Sequence, residues 1–362
     1  MSTFTQQITA IRGRGARTNA SGRFEADSRE AFDDGWTPDD LEPVQLTTTV
    51  TPEKAKVIIS RNDSPDVGFS ASINPYRGCE HGCIYCYARP AHAYMGLSPG
   101  LDFESKLFFK PEAARLLERE LSNPRYVPEV IHIGGNTDPY QPQERRLRIT
   151  RGIIEVLSRF NHPFSVITKS GLILRDLDLL APMAERNLVR VAISITTLDR
   201  KLARSMEPRA ATPEKRLDAV RRLSDAGVPT VVMFAPCIPG LNDHEMEAVL
   251  ERATAAGAKG AGYVALRLPM EIADLFQEWL VTDHPDRAAR VMSLVRQMRG
   301  GKTYDSQWGK RMKGDGPIAA LTSRRFAVAK ARLGIGGKLP PLDLGLFSVP
   351  PKAGDQIDLF GS

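Results

Sequence analysis

Short apolar runs alternate with amphipathic stretches through the middle of the chain. Runs rich in β-branched residues predict six strands, over 71–74, 130–133, 164–168, 190–195, 230–234 and 263–268. Stretches with helical apolar spacing predict the helices between them, over 111–121, 150–160, 174–186, 213–226 and 243–256. Strands that alternate with helices of this length form a parallel sheet with right-handed crossovers. The pattern therefore favours an α/β fold, either a doubly wound sheet or a partial (β/α)6 barrel.

Polar segments that follow the predicted strands distinguish these two folds. A barrel gathers its active site at the carboxyl ends of its strands, so we predict a partial (β/α)6 barrel over residues 49–270. Residues 1–48 are poor in large apolar side chains and are expected to form a flexible lead-in. Helices around 272–280, 285–299 and 323–333 predict a mainly helical C-terminal subdomain over 271–335, able to cover the open side of the barrel. Residues 336–362 are rich in Gly and Pro and predict an extended tail.

Composition and charge narrow the class of protein. The 362 residues are 42% hydrophobic, enough for a substantial core, and no apolar run approaches the roughly 18 residues that cross a membrane. Residues 302–332 hold eight basic and two acidic residues, so this segment carries the net charge of +6 and the rest is about neutral. Such a surface attracts polyanions, and Lys310, Arg311 and Lys313 are the expected phosphate contacts. A solvated helix face is the alternative, because no recognised nucleic-acid-binding motif accompanies the charge.

Three cysteines stand close together in the run Cys79-Glu-His-Gly-Cys83-Ile-Tyr-Cys86. Soft thiolates on one short loop suit three corners of a four-iron four-sulfur cluster, which leaves the fourth iron open for the amino and carboxylate groups of S-adenosylmethionine. A structural zinc site is the strongest alternative, but only His81 or the distant Cys237 is available as its fourth ligand. A disulfide framework fits less well, because four cysteines are few for 362 residues and a secretory signal is lacking. We therefore expect a cytoplasmic protein.

With Tyr85 before its third cysteine, this motif resembles that of the radical S-adenosylmethionine superfamily. The resemblance extends over roughly residues 10 to 335 and to the DNA repair photolyase-like group, which includes spore photoproduct lyase. It is carried by segments 74–79, 85–90, 136–142, 168–170 and 238–243. Membership implies a partial barrel, an electron donor, and reductive cleavage of S-adenosylmethionine at a four-iron four-sulfur cluster to a 5'-deoxyadenosyl radical. It favours a nucleic-acid substrate, although fold likeness does not establish a substrate.

The resemblance also implies residues that hold the cofactor. The Gly-rich segment after the second predicted strand would pair with the methionine amino group, although a tight turn is the alternative. Lys169 would meet the carboxylate, hydroxyls at the next strand ends would bind the ribose, and Tyr85 would lie against the adenine. Arg209 is a further candidate for a carboxylate partner, and helix caps or surface charges are the alternatives for the single polar residues. The cofactor candidates are Tyr85, Gly134, Gly135, Asn136, Thr137, Asp138, Lys169, Ser170, Ser194, Thr196 and Arg209.

Cys237 is the one cysteine outside the motif. It follows the fifth predicted strand, so it is a candidate hydrogen-atom donor to a substrate radical, as a cysteine is in spore photoproduct lyase. The chain departs from that enzyme, whose donor lies earlier, because no cysteine occurs between Tyr87 and Pro236. Plain core packing is the alternative. One spare cysteine also excludes a second cysteine-bound cluster.

The end of the chain reads Gln356-Ile-Asp-Leu-Phe360. It resembles the short motif by which bacterial replication and repair proteins bind the DNA sliding clamp, with the Gln356 amide and the apolar Ile357, Leu359 and Phe360 side chains in a groove. The leading hypothesis is thus a radical enzyme acting on nucleic acid. Radical modification of a protein or metabolite is one alternative, and a non-enzymatic iron-sulfur redox sensor tethered to the replisome is another.

Overall fold

The computed structural model describes residue 11, residues 13–25 and residues 46–351. Its strands are β1 Thr49–Pro52, β2 Ile59–Arg61, β3 Ala71–Ile73, β4 Tyr76–Arg77, β5 Lys106–Phe109, β6 Ile131–Ile133, β7 Phe164–Thr168, β8 Val189–Ser194, β9 Thr230–Cys237 and β10 Gly260–Ala265. Its α-helices are α1 Leu101–Ser105, α2 Ala113–Leu121, α3 Glu144–Leu147, α4 Ile149–Arg159, α5 Leu177–Glu185, α6 Arg200–Met206, α7 Pro213–Asp225, α8 Met246–Ala255, α9 Ile272–Asp283, α10 Pro285–Gln297 and α11 Gly316–Arg332.

Seven of these strands form the main sheet, in the order β10-β9-β8-β7-β6-β3-β2. The six from β3 to β10 run parallel, and β2 joins the edge antiparallel to β3. Helices connect successive parallel strands, so the predicted partial (β/α)6 barrel is confirmed. A smaller sheet in the order β1-β5-β4, which the sequence pattern did not predict, flanks it.

The core lies between the main sheet and its helices. Strand β7 alternates buried and half-buried residues, and its buried Phe164 and Val166 pack in one apolar cluster with α4 residues such as Ile153 and Leu157. Burying each such side chain contributes about 1.5–3 kcal/mol. The alternate positions face the barrel interior, and the carboxyl ends of the strands form its mouth.

Residues 302–315 span the gap between the two edges of the partial barrel. The amide of Ala265, at the end of β10, donates to the carbonyl of Met312 over 2.8 Å. From the same segment, the Gly309 amide and the Arg311 Nε atom donate to Asp66, which lies in the loop between β2 and β3, over 2.7 and 2.5 Å. The C-terminal region thus covers the open side of the barrel.

Residues 340–348 run across the amino ends of the strands, on the face opposite the mouth. Asn187, before β8, donates to the Pro341 carbonyl over 2.7 Å and accepts from the Asp343 amide over 3.0 Å. Phe347 packs on Tyr126 and His162, with ring centroids 5.6 and 5.4 Å apart. We call this segment the basal strap. Among the described residues, no helix is both long and apolar enough to traverse a bilayer.

Candidate cluster and cofactor site

The cysteine loop, residues 78–86, follows β3 and β4 at the barrel mouth, and two glycines determine its path. Gly78 and Gly82 adopt φ values of +73° and +68°, which side chains on L-residues rarely allow. A Cβ atom on Gly82 would lie 2.6 Å from Glu104 Oε2, and one on Gly78 would lie 2.8 Å from the Phe103 carbonyl oxygen. The loop can therefore pack against α1 only with glycine at both positions.

The loop holds three free thiols near one another. Cys79 and Cys83 are buried and Cys86 is half-buried. Burial raises the pKa of all three thiols, that of Cys83 to about 12. Their thiolates need a positive centre to be stable, and bound iron supplies one. In the described part of the chain, no three His, Cys, Asp or Glu side chains converge closely enough for a single metal ion. A four-iron cluster does not require such convergence, because each thiolate binds a different iron, so the loop fits it.

A buried ion pair beneath the loop holds its backbone. The Arg89 side chain is fully buried, as is that of its partner Glu104. Arg89 Nε donates to the Cys83 carbonyl over 2.9 Å, and Nη2 donates to the Gly82 carbonyl over 3.2 Å. Its Nη1 atom donates to the carbonyls of Pro99 and Gly100 over 3.0 and 2.9 Å. The planar guanidinium thus satisfies four carbonyls and a carboxylate together, which lysine's single ammonium cannot do.

The N-terminal segment, residues 13–20, packs against the same loop. The amides of Gly15 and Ala16 donate to the two oxygens of Glu104 over 2.9 and 2.8 Å. A Cβ atom on Gly15 would lie 1.8 Å from the Gly82 carbonyl oxygen, so only glycine fits there. These residues belong to the stretch for which composition predicts a flexible lead-in, but the structure places them in direct contact with the cysteine loop.

Tyr85 belongs to a buried polar network at the ends of β7 and β8. Its hydroxyl donates to Glu207 and lies 3.3 Å from Thr196 Oγ1, which itself donates to Glu207 over 2.6 Å. Burial alone would raise the pKa of Glu207, but the charges of Arg216 and Lys169 outweigh burial and hold it at about 2. Lys169 Nζ lies 5.7 Å from the centre of the Tyr85 ring. The structure therefore brings the predicted residues Tyr85, Lys169 and Thr196 together.

The Gly-rich segment after β6 also lies at the mouth. Gly134 has a φ of +98°, and a Cβ there would lie 2.8 Å from Pro139. The Gly135 carbonyl accepts from the Tyr87 hydroxyl, and the Asn136 amide donates to Asn74 over 2.8 Å. Asn136 is exposed, and Gly134 and Gly135 are half-buried.

Thr137 and Asp138 are engaged within the protein. Thr137 Oγ1 donates to the Tyr76 carbonyl over 3.3 Å. Asp138 accepts from Thr168 Oγ1 and from the Lys169 amide over 2.6 and 2.8 Å, and it lies 3.3 Å from His81. Burial would raise the pKa of Asp138, but His81 and these donors outweigh burial and hold it at about 2. This carboxylate thus fixes the end of β7 relative to the cysteine loop.

Ser170, Ser194 and Arg209 also bind protein groups. Ser170 Oγ accepts from the Leu172 amide over 3.2 Å at the start of a short 3-10 helix. Ser194 Oγ donates to the Ala235 carbonyl over 3.2 Å. Arg209 pairs with Glu80, in the cysteine loop, and donates to the Gly13 carbonyl over 3.1 Å. Ser170 therefore caps the short helix, and Arg209 links the cysteine loop to the N-terminal segment.

Cys237 lies at the end of β9, but its side chain packs in the core layer between the sheet and its helices. Burial raises the pKa of its thiol to about 12, with Asp243 adding to the rise. Arg325 and Glu247, from α11 and α8, are the other charged groups that act on it. This placement favours the core-packing alternative and does not support the predicted hydrogen-donor role.

Two of the three predicted phosphate contacts already have acidic partners. Lys310 pairs with Asp315 over 2.8 Å, and Arg311 pairs with Asp66 over 2.5 Å. Lys313 is exposed, and none of the ion pairs among the described residues involves it. The motif residues Gln356, Ile357, Leu359 and Phe360 lie outside the described residues.

Sequence reasoning missed Arg89, Glu104, Glu207 and Arg216, the buried charges that organise the site. One signal was available for Arg216. It occupies the same face of α7 as Pro213, Leu217 and Val220, which are buried, and a charged residue on the apolar face of a helix indicates a buried partner.

Comparisons with known proteins agree with this geometry. The family model described as "Radical SAM superfamily" matches residues 73–253. An uncharacterized protein of Mycobacterium tuberculosis (strain ATCC 25618 / H37Rv) is 38% identical over 231 residues, which cover 63% of this chain and 68% of that protein. An uncharacterized protein of Methanocaldococcus jannaschii is 29% identical over 192 residues, which cover 53% of this chain and 69% of that protein.

Solved structures show the same fold. A spore photoproduct lyase variant with bound AdoMet and dinucleoside spore photoproduct has a TM-score of 0.55 at 12% identity, covering 81% of this chain and 82% of that chain. Spore photoproduct lyase complexed with dinucleoside spore photoproduct has a TM-score of 0.53 at 13% identity, with the same coverage. The family match and the cysteine loop agree: the chain belongs to the radical SAM superfamily, whose members are enzymes that use a four-iron four-sulfur cluster and S-adenosylmethionine.

Proposed function

We propose that this radical SAM enzyme acts on nucleic acid at the mouth of its barrel. Cys79, Cys83 and Cys86 hold the cluster, and Tyr85, Lys169, Gly135 and Asn136 line the space for S-adenosylmethionine. When bound, the cluster and S-adenosylmethionine would supply one-electron reductive cleavage of the sulfonium C–S bond, with release of methionine, and hydrogen-atom abstraction from the substrate. The proposed place of action is the cytoplasm, because thiols reserved for a cluster need a reducing compartment.

The observation that carries the nucleic-acid proposal is an aromatic and cationic surface directly beside the cysteine loop. Tyr87 follows Cys86 and is 45% exposed. The Arg267 guanidinium, from the end of β10, lies 4.8 Å from the centre of the Tyr87 ring. Arg267 Nε is buried and, among the residues that the structure describes, has no hydrogen-bond partner. Aromatic rings stack on unpaired bases, and a guanidinium binds phosphate. The fold likeness to spore photoproduct lyase, solved with a dinucleoside photoproduct, supports the same substrate class.

The segment that spans the barrel gap supplies further proposed contacts. Trp308 is 56% exposed. In the sequence it stands between Lys302 and Lys313, which are both exposed. Lys313 replaces Lys310 and Arg311 as the leading phosphate contact, because those two are ion-paired. Trp308 offers a stacking surface for a base beside it.

Substrate-dependent formation of 5'-deoxyadenosine tests this proposal. Reduced, reconstituted protein is expected to form more of it with single-stranded or ultraviolet-damaged DNA than with cofactor alone. Trp308→Ala should weaken DNA binding by about 1–3 kcal/mol. Lys313→Ala should lower the salt slope of binding by about 0.7 to 0.9. Tyr94→Ala, at an aromatic residue 69% exposed on another surface segment, is the matched control. Stimulation by peptides or metabolites but not by nucleic acid would overturn the proposal in favour of its enzymatic alternative.

We also propose that Gln356, Ile357, Leu359 and Phe360 bind the bacterial sliding clamp. The basal strap packs on the face opposite the mouth, and the motif follows it closely in the sequence. A clamp bound to the tail would therefore leave the mouth free for substrate.

A further inference from the structure

A cavity of about 490 Å³ opens beside the cysteine loop, between the N-terminal segment, α6 and α9. The charged residues that line it are mostly basic. Five cations and one carboxylate contribute to it: Arg14, Arg17, Arg200, Lys201, Arg204 and Asp283. None of the mouth residues Lys169, Asn136 or Arg267 lines it. A molecule bound in this cavity therefore leaves the mouth accessible.

Most of this positive charge has no acidic partner among the described residues. Arg200, Lys201 and Arg204 are exposed on α6, and the ion pairs found among the described residues include none of the three. Arg17 is only 10% exposed and pairs with Asp283 over 2.9 Å. Its Nε atom is buried and has no hydrogen-bond partner in the described part of the chain. We call this lining the α6 basic surface.

The α6 basic surface is separated from the cysteine loop by a single layer of residues. Gly15 lines the cavity. It also packs directly against the Gly82 carbonyl oxygen, which leaves no room for a Cβ atom on Gly15. Pro208, another lining residue, lies 3.3 Å from the position of a Cβ on Gly82. Gly82 immediately precedes Cys83, so Gly15 and Pro208 stand between the cavity and the backbone next to a cluster ligand.

Two hydrogen bonds hold α6 in place beside the loop. The Ile84 amide donates to the carbonyl of Met206, the last residue of α6, over 3.0 Å. Trp279, from α9, donates its indole N–H to Ser205 over 2.8 Å. These bonds thus fix the position of α6 and its exposed cations next to the cluster site.

We propose that the α6 basic surface docks an acidic one-electron carrier protein that reduces the cluster. The inference rests on the proposed cluster site and is independent of the substrate. In the docked complex, the reduced flavin or iron-sulfur group of the carrier loses one electron and the cluster gains it, with no bond formed or broken. Opposite charges steer the encounter and increase its rate. Nucleic acid is the less suitable occupant, because its reacting base must reach the mouth.

Stopped-flow measurement of cluster reduction tests this docking surface. The reconstituted holoenzyme is mixed at low salt with reduced flavodoxin, an acidic flavin protein, and separately with photoreduced deazaflavin, a small reductant that needs no docking surface. R200E/K201E/R204E is expected to slow reduction by flavodoxin at least about tenfold, to weaken flavodoxin binding to a similar degree, and to leave reduction by deazaflavin unchanged. R125E/R222E/K259E reverses three exposed charges outside α6 and outside the proposed substrate contacts, and it should keep the wild-type rate with flavodoxin.

Three outcomes would overturn the proposal. The first is an equal flavodoxin rate in the α6 variant and the wild type. The second is equal slowing by both reductants, which would assign these residues to support of the cluster. The third is lost DNA affinity with an unchanged flavodoxin rate, which would make this a nucleic-acid surface. Failure of the nucleic-acid function would leave the result unaffected, because the assay follows the cluster and not a substrate.

Discussion

Replacing Arg89 with Met should destabilise the protein and release iron, because this side chain holds the backbone of the cysteine loop. The substitution removes hydrogen bonds to the carbonyls of Gly82, Cys83, Pro99 and Gly100, together with the ion pair to Glu104. Methionine fills a similar volume, so the loss is electrostatic rather than a cavity.

Removing one partner of a buried ion pair costs about 3–5 kcal/mol. Glu104 keeps the amides of Gly15 and Ala16 as donors, so its charge is not left wholly uncompensated. We therefore expect a loss of stability near the lower limit, about 3 kcal/mol. Glu104→Gln added to Arg89→Met should not restore wild-type stability, because its NH2 group would face one of the two N–H donors of Gly15 and Ala16.

Urea unfolding of the anaerobic protein, followed by circular dichroism, measures this loss, and iron per chain is determined on the same samples. Arg115→Met is the matched control. Arg115 pairs with Glu112 on the surface of α2 with 69% of its side chain exposed, so a change within about 0.5 kcal/mol is expected. Wild-type stability together with full iron content in Arg89→Met would refute the assigned role of this ion pair.

Two further predictions concern the opposite face of the barrel and the tail. Burial lowers the pKa of His162 to about 4, below its ordinary value of about 6.5, so the unfolded chain binds a proton more readily and stability should fall as pH decreases from about 6.5 to about 4. The urea midpoint should therefore depend less on pH in His162→Gln, and an identical dependence would contradict this assignment. A peptide covering residues 352–362 should bind purified clamp weakly, on the order of micromolar, because two buried apolar side chains contribute about 1.5–3 kcal/mol each before ordering costs. Leu359→Ala with Phe360→Ala should abolish clamp binding and leave cofactor cleavage intact; equal binding by intact protein and double variant would make the motif a chance match.

The sequence pattern predicted the large elements well and the small ones poorly. All six parallel strands were expected, because each is a run of apolar residues bounded by polar ones. Strands β1, β2, β4 and β5 have two to four residues, and helices α1 and α3 have five and four. Strands β3 and β6 are just as short, but their residues are largely buried, whereas those of β1 and β2 are exposed or half-buried and leave no apolar run to identify.

The cysteine motif located the cluster loop, but contacts between distant residues define its surroundings. Glu104 binds amides 89 and 88 positions earlier in the chain, and no local pattern encodes such a contact. Arg209 was a candidate partner for the carboxylate of the cofactor, and in the structure it pairs with the carboxylate of Glu80.

Cys237 illustrates the limit of inferring side-chain direction from position in a strand. A residue after a barrel strand is expected near the mouth, but β9 continues through Cys237 itself. The pairing of β9 with β10 shifts register between Tyr263 and Ala265, and Ala265 is the partner of Cys237. Alternation counted from the sequence does not anticipate such a shift, which decides the face on which the sulfur lies.

Metal analysis with electron paramagnetic resonance of reconstituted protein tests the cluster assignment most directly. We expect about four irons and four sulfides per chain, and a signal of the reduced cluster that changes when S-adenosylmethionine is added. Cys79→Ala, Cys83→Ala and Cys86→Ala should each abolish cofactor cleavage, whereas Cys237→Ala should retain both iron and cleavage. Stoichiometric zinc without sulfide in anaerobically purified protein, or loss of iron from Cys237→Ala, would contradict the account.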